Sequence, residues 1–130
     1  MKFTIEGETP AKKNSKIRTR AGYMIPSKRY QEWHTQASVQ LFNQKMRPLA
    51  INYPVIISLS FFHGDMRRRD SDNGTSSILD FLVDFGILAD DNWEVVRVLN
   101  VYNYYDKGHA RCEIDIHELK TTIETKGISA

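Results

Sequence analysis

Two pairs of aspartates bracket one apolar, helix-patterned stretch: Asp70-x-Asp72 before it and Asp90-Asp91 after it. Hard dications such as Mg²⁺ take oxygen ligands, commonly one or two carboxylates with water and substrate phosphate. Asp70 and Asp72, two residues apart on an extended turn, can converge on one ion. The 18 residues between Asp72 and Asp91 allow a helix and a return loop, so that Asp91 can meet the pair. Arg67-Arg68-Arg69 directly precedes these acids, setting phosphate-binding groups beside a metal-binding pair. Phosphodiester hydrolysis needs that combination. Structural readings stand beside it. Ser71 or Asp72 could cap the helix, Asp90-Asp91-Asn92 could be turn residues, and the arginines could pair with the acids. A calcium loop starting at Asp70 fails, because its sixth position is Thr75 instead of Gly and its twelfth is Phe81 instead of Glu.

The elements that must position these residues are legible in outline. Lys2 to Glu6 reads as a strand with Phe3 and Ile5 on one face, ending at Gly7. Residues 7–26, with Pro10, Asn14, Gly22 and Pro26, read as a long loop of the kind that often carries function. Ser27 is placed to cap a first helix whose buried side is Tyr30, Trp33, His34, Ala37 and Leu41, ending before Pro48. Tyr53 to His63 reads as a central strand covered on both faces. A second helix follows the aspartates, with Ile78, Leu79, Leu82, Val83 and Phe85 buried and Gly86 at its end. Strands are expected at about 93–105 and 109–118, joined as a hairpin through Lys107-Gly108. The expected fold class is α/β, a single domain with a mixed sheet of about four strands and two main helices. Residues 1–119 form the domain, and residues 120–130 a tail.

Length and composition fit this picture. The chain of 130 residues carries 41% hydrophobic and 26% charged residues, ordinary for one globular domain. Its longest apolar run falls short of the roughly 18 residues of a spanning helix, and the amino terminus lacks a signal-peptide layout. The single cysteine, Cys112, cannot form an internal disulfide. A cytoplasmic protein without membrane association is expected. The net charge of +2 is uneven: residues 1–30 hold eight Lys or Arg against two Glu, while the remainder holds ten against fourteen acids. A basic amino-terminal segment suits a polyanion, or is simply a solvated, lysine-rich loop.

The run Arg67-Arg68-Arg69-Asp70-Ser71-Asp72-Asn73, then a helix with Asp80, then Gly86 and Asp90-Asp91 before Trp93-Glu94-Val95, resembles the RusA family of phage and prophage Holliday-junction resolvases. The likeness is strongest in these central residues. It continues through an amino-terminal strand, a loop with Asn14, and Ser27 and Tyr30 at the first helix. The resemblance implies a homodimeric, Mg²⁺-dependent endonuclease (Mn²⁺ as a substitute) that nicks four-way DNA junctions symmetrically in recombination and repair, with no small-molecule substrate. It implies Asp70, Asp72 and Asp91 as catalytic metal ligands, Asp90 as an accessory acid, and Asp80 without an assigned role. Lys12, Lys13, Asn14, Lys16, Arg67, Arg68 and Arg69 are the expected DNA contacts. The chain departs from the family at Ser76, where many members carry a lysine, and has Gly74 at an adjoining apolar position. Arg69, Lys12, Lys13 or Lys16 could substitute for that lysine; without a substitute, a weakly active or silent branched-DNA-binding protein is the alternative.

Other residues support no rival chemistry. His34, His63, His109 and His117 lack zinc-ligand spacing and read as structural or surface residues. Cys112 has no nucleophile motif around it. Tyr102 and Tyr104 alternate onto one sheet face, although they could also stack on bases. Trp33 and Trp93 read as core or interface anchors.

Overall fold

The computed structural model describes residues 1–11 and 16–120, with nothing stated for the side chain of Lys16. Its elements are β1 (Lys2–Glu6), β2 (Lys16–Arg18), β3 (Met24–Pro26), α1 (Lys28–Asn43), β4 (Val55–His63), α2 (Ser71–Phe85), β5 (Val96–Tyr105) and β6 (Arg111–Glu118). Four strands form a mixed sheet in the order β1-β6-β4-β5, and β2 and β3 pair separately. The expected α/β class, mixed sheet and two helices are what the chain adopts.

Alternation along the strands builds the core. Val55, Ile57, Leu59 and Phe61 of β4 join Phe3 and Ile5 of β1 and Cys112, Ile114 and Ile116 of β6 in one buried cluster. Both helices close over this face. α1 contributes Tyr30, Trp33, Ala37 and Leu41, and α2 contributes Ile78, Phe81 and Leu82. Trp33 meets Phe81 edge-on with ring centroids 5.6 Å apart. The Ser27 hydroxyl accepts the Tyr30 amide at 3.2 Å, the expected cap. Leu79, Val83 and Phe85 are only partly buried, and Phe81 is the helix's central core residue.

Four sequence expectations need correction. β4 is central but not covered on both faces, because both helices pack on one side. Ile56, Ser58, Ser60 and Phe62 on the other side are half-buried, with Tyr102 and Tyr104 exposed and stacked beside Phe62. β5 and β6 form no hairpin: β4 lies between them, parallel to β5 and antiparallel to β6. Next-nearest strands lie roughly 10 Å apart, a gap that residues 106–110 cross over the end of β4. Asp106 N–H donates to His63 O at 2.9 Å and Gly108 N–H to Gly64 O at 3.0 Å. The turn chemistry at Lys107-Gly108 is real, but it serves a hop instead of a hairpin. Part of the expected 7–26 loop is the β2–β3 pair, turned at Gly22 with φ +88°. Finally, of the two roles expected for Trp93, core or interface anchor, the core role falls: it is 66% exposed with the Arg97 guanidinium over its ring.

The sheet edge at β1 is protected. Gln44, the residue capping the end of α1, accepts the Thr4 amide at 2.8 Å and donates to the Thr4 carbonyl at 2.6 Å, and Gln40 of α1 accepts the Glu6 amide at 2.6 Å. Such side-chain pairing blunts an edge that would otherwise recruit another strand.

Candidate active site

The start of α2 sits directly on the sheet. A Cβ at Gly74 would meet Phe61 Cε1 of β4 at 3.2 Å, so glycine permits the close approach. The buried Ser77 hydroxyl donates to Pro10 O at 2.6 Å and ties the helix to the segment after β1. Asp70, in extended conformation, occupies the N-cap position, where Ser71 or Asp72 was the alternative. Its carboxylate makes no capping hydrogen bond. Asp70 therefore holds a cap position without doing a cap's work.

The far end of α2 delivers the second pair. Gly86 takes the left-handed conformation (φ +96°), and a Cβ there would also meet Pro48 Cβ at 3.0 Å. Leu49 and Ala50 amides donate to its carbonyl, and Ile51 bridges to Leu88 in parallel, so the chain leaves the helix on a fixed course. That course returns Asp91 to the first turns of α2. Asp72 and Asp91 line one cavity of about 460 Å³ with Ser71, Thr75, Ser76, Leu79, Leu99 and Val101. Burial, then a hydrogen bond to the Asp90 carboxyl, raise Asp91 above the ordinary carboxylate range. The charges of Asp80 and Asp90 add to the rise. Asp80 also acts on Tyr30, whose hydroxyl burial, then Asp80 and Asp84, push up to about 12.

Asp70 belongs to the neighbouring cavity, of about 510 Å³, which Ser71 also lines. Arg29, Arg67, Arg68 and Arg69 contribute its cations, and His63, Asn73 and Asn103 its other polar lining. Thus the structure places Asp72 with Asp91, and Asp70 across Ser71 from them. Among the described residues no three acidic, His or Cys side chains lie close enough to form a metal cluster. Nor does any of Asp70, Asp72, Asp90 or Asp91 have an ion pair among the described residues. The lining of the Asp72–Asp91 cavity offers only carboxylate and hydroxyl oxygens as donors, a set that suits a hard dication.

The three arginines divide. Arg69 turns inward: Nε lies 2.7 Å from Glu8 Oε1, Nη2 lies 2.9 Å from Asp65 Oδ1, and Nη1 donates to Arg67 O at 3.0 Å. It pairs with acids, but not with the aspartates of the α2 ends. Asp65 falls below the ordinary carboxylate range, chiefly through the Arg67 amide and then through Arg69. Arg67 and Arg68 remain exposed at the cavity. No described cation lines the Asp72–Asp91 cavity: Ser76 supplies a hydroxyl there, and Arg69, one of the expected substitutes for a lysine at that position, lies in the other cavity. Lys12, Lys13 and Asn14 lie outside the described residues, and Lys16 is placed only as the first residue of β2.

Sequence reasoning missed Arg29, which α1 brings to the arginine cavity from its first turn. It also treated His63 as an ordinary structural histidine. His63 Nδ1 lies 2.7 Å from Glu8 Oε1 and Nε2 lies 2.9 Å from Asn103 Oδ1, while Asn103 Nδ2 donates to Ser71 Oγ at 3.2 Å. Both ring nitrogens thus lie within hydrogen-bond distance of side-chain oxygens, which fixes the ring between Glu8 and Asn103. Phe61 and Asn103 are register partners near the carboxyl ends of the parallel β4–β5 pair. Ligands favour such ends in α/β sheets, and that rule would have pointed to His63 and Asn103. The other histidines pair at the periphery, His34 with Asp84, His109 with Glu6 and His117 with Asp115. Cys112 is buried, and burial drives its thiol far above the usual range, which removes it as a nucleophile. Among the described residues no helix is long and apolar enough to cross a membrane.

Comparison with curated proteins finds no match. The family profile described as Endodeoxyribonuclease RusA matches residues 6–117, a span that begins at the last residue of β1, contains β2 to β5 and both helices whole, stops one residue short of the end of β6, and includes every aspartate of the site. On that match the chain belongs to the RusA endodeoxyribonuclease family.

Proposed function

We propose that this endonuclease resolves four-way DNA junctions by symmetric, Mg²⁺-dependent hydrolysis as a homodimer, with Mn²⁺ able to substitute. The observation that carries the reading is a cavity holding Asp72 and Asp91 with no counter-charge among the described residues, beside a second cavity faced by arginines. Asp72 and Asp91 would hold the cation, with Asp70 contributing from across Ser71 and Asp90 as an accessory acid. A bound dication supplies Lewis acidity toward a phosphoryl oxygen. Arg67, Arg68 and Arg29 bind and orient the backbone phosphates, and the basic loop with Lys12, Lys13, Asn14 and Lys16 extends that interaction along a duplex arm. A two-fold dimer presents two such sites to opposing strands of a junction.

A second reading is a branched-DNA-binding protein that has lost its activity. It draws on the absence of any described cation from the Asp72–Asp91 cavity, where Ser76 stands. One incubation decides between them: labelled four-way junction, flap and duplex, each with and without Mg²⁺. Paired nicks in the junction alone, only with Mg²⁺, support resolution. Equal cutting of flaps shifts the substrate to branched DNA generally. Junction binding without cutting establishes the silent protein.

A further inference from the structure

Ser71 lines both cavities and is the first residue of α2, between Asp70 and Asp72. Its hydroxyl oxygen accepts a hydrogen bond from Asn103 Nδ2 at 3.2 Å. Asn103 is held by His63 Nε2 at 2.9 Å, and His63 by Glu8 at 2.7 Å. Glu8 is anchored again by Arg69 Nε at 2.7 Å. The chain thus starts in a half-buried ion pair and ends on a hydroxyl at the partition between the arginine and carboxylate cavities.

The direction of the last bond has a chemical consequence. A serine hydroxyl has one proton to give and two lone pairs. With a lone pair taken by Asn103, its own proton is free to point elsewhere, and no described residue accepts it. Asp70 and Asp72 on either side define where a phosphodiester would be cut, and the arginines define where its backbone would lie.

We propose that Ser71 donates a hydrogen bond to a phosphate oxygen of the DNA strand being cut, and that Asn103, His63 and Glu8 are positioning residues that hold its hydroxyl for that purpose. The proposal rests on the nuclease reading of the flanking aspartates and adds an interaction that the aspartate and arginine motifs do not contain.

The test compares Ser71→Thr with Ser71→Val, which have the same shape and differ in the hydroxyl. Single-turnover junction cleavage in Mg²⁺ and junction affinity without Mg²⁺ are measured on each, with Asp72→Asn as a control. Ser71→Thr should cleave like the natural protein. Ser71→Val should fold and bind but cleave about 10- to 100-fold more slowly, the usual worth of a hydrogen bond to a charged group. Asn103→Ala should slow cleavage in the natural background and add nothing in Ser71→Val, because its effect runs through the hydroxyl. Equal rates for Ser71→Thr and Ser71→Val, with Asp72→Asn inactive, would overturn the proposal and leave the nuclease reading intact. An additional loss from Asn103→Ala in the Ser71→Val background would overturn the positioning role. Full activity in Asp72→Asn would instead overturn the reading on which both rest.

Discussion

The two cavities that meet at Ser71 handle charge in opposite ways. On the arginine side the inward groups are matched: Glu8 serves both Arg69 and His63, and Asp65 takes the other end of the Arg69 guanidinium. On the carboxylate side Asp72, Asp90 and Asp91 have no cationic partner among the described residues, and Asp91 is held above its ordinary range by burial and by Asp90. The first side is finished by the fold. The second keeps acids without a described counter-charge, and under the proposed function that is where a cation binds. A paired network fixes geometry at the expense of exchange, whereas an unmatched acid pair costs stability but keeps a site open for a cation.

The largest effect should come from the acids at the ends of α2: Asp72 and Asp91 on the open side, and Asp70 across Ser71 from them. Asp70→Asn, Asp72→Asn and Asp91→Asn should each lower junction cleavage by roughly a thousandfold or more, as losing a cation's charge stabilisation would. Junction affinity without Mg²⁺ should hold or improve, since a carboxylate near phosphate is removed. Gel-shift and cleavage assays on the same preparations check this, and near-normal cleavage by one variant would take that residue out of the site.

The finished side should respond in stability. Arg69→Ala leaves the largely buried Glu8 without its guanidinium partner, and should cost about 1 kcal/mol by chemical denaturation once the partial exposure of the pair is allowed for. A variant as stable as the natural protein would show that this network is decorative. Arg29→Ala, Arg67→Ala and Arg68→Ala should leave stability nearly unchanged and reduce the salt dependence of DNA binding by a slope of about 0.9 for each phosphate no longer neutralised. An unchanged slope for Arg29→Ala would remove α1 from the interface.

The smallest effect has the opposite sign. The Asp91 carboxyl titrates higher in the folded protein than in the unfolded chain, so its charged form opposes folding at neutral pH. That penalty disappears as pH falls through the folded and then the ordinary carboxylate range. Asp91→Asn should therefore melt slightly higher than the natural protein at pH 7, with the difference closing in acid. A lower melting temperature at pH 7 would mean that Asp91 has a favourable partner after all.

Much of the frame that carries this contrast was legible. Ser27 announced α1, Gly86 announced the end of α2, and the four aspartates at the two ends of α2 were the strongest chemical signal. What escaped depends on three-dimensional neighbours. Lys107-Gly108 marks a turn whether the chain folds back or steps across β4, so strand order could not be read there. Periodicity found a stripe on α2 but missed Phe81, whose burial is decided by Trp33 of α1. Arg67, Arg68 and Arg69 are alike in sequence, and only Glu8 and Asp65, supplied by separate segments, make Arg69 the inward one. Asn103 carries no motif at all; its place beside His63 and Ser71 follows from the parallel register of β4 and β5.

The central claim is that the unmatched acids around Asp72 and Asp91 are the cation site, and thermal melting against Mg²⁺ concentration tests it without DNA. Binding to the folded state alone raises stability by RT ln(1 + [L]/Kd), roughly 1.4 kcal/mol when the ion is about tenfold above its Kd. The natural protein and Arg69→Ala should gain melting temperature as Mg²⁺ rises into the millimolar range, while the Asp72→Asn/Asp91→Asn double variant should stay flat. A double variant that gains as much as the natural protein would contradict the assignment.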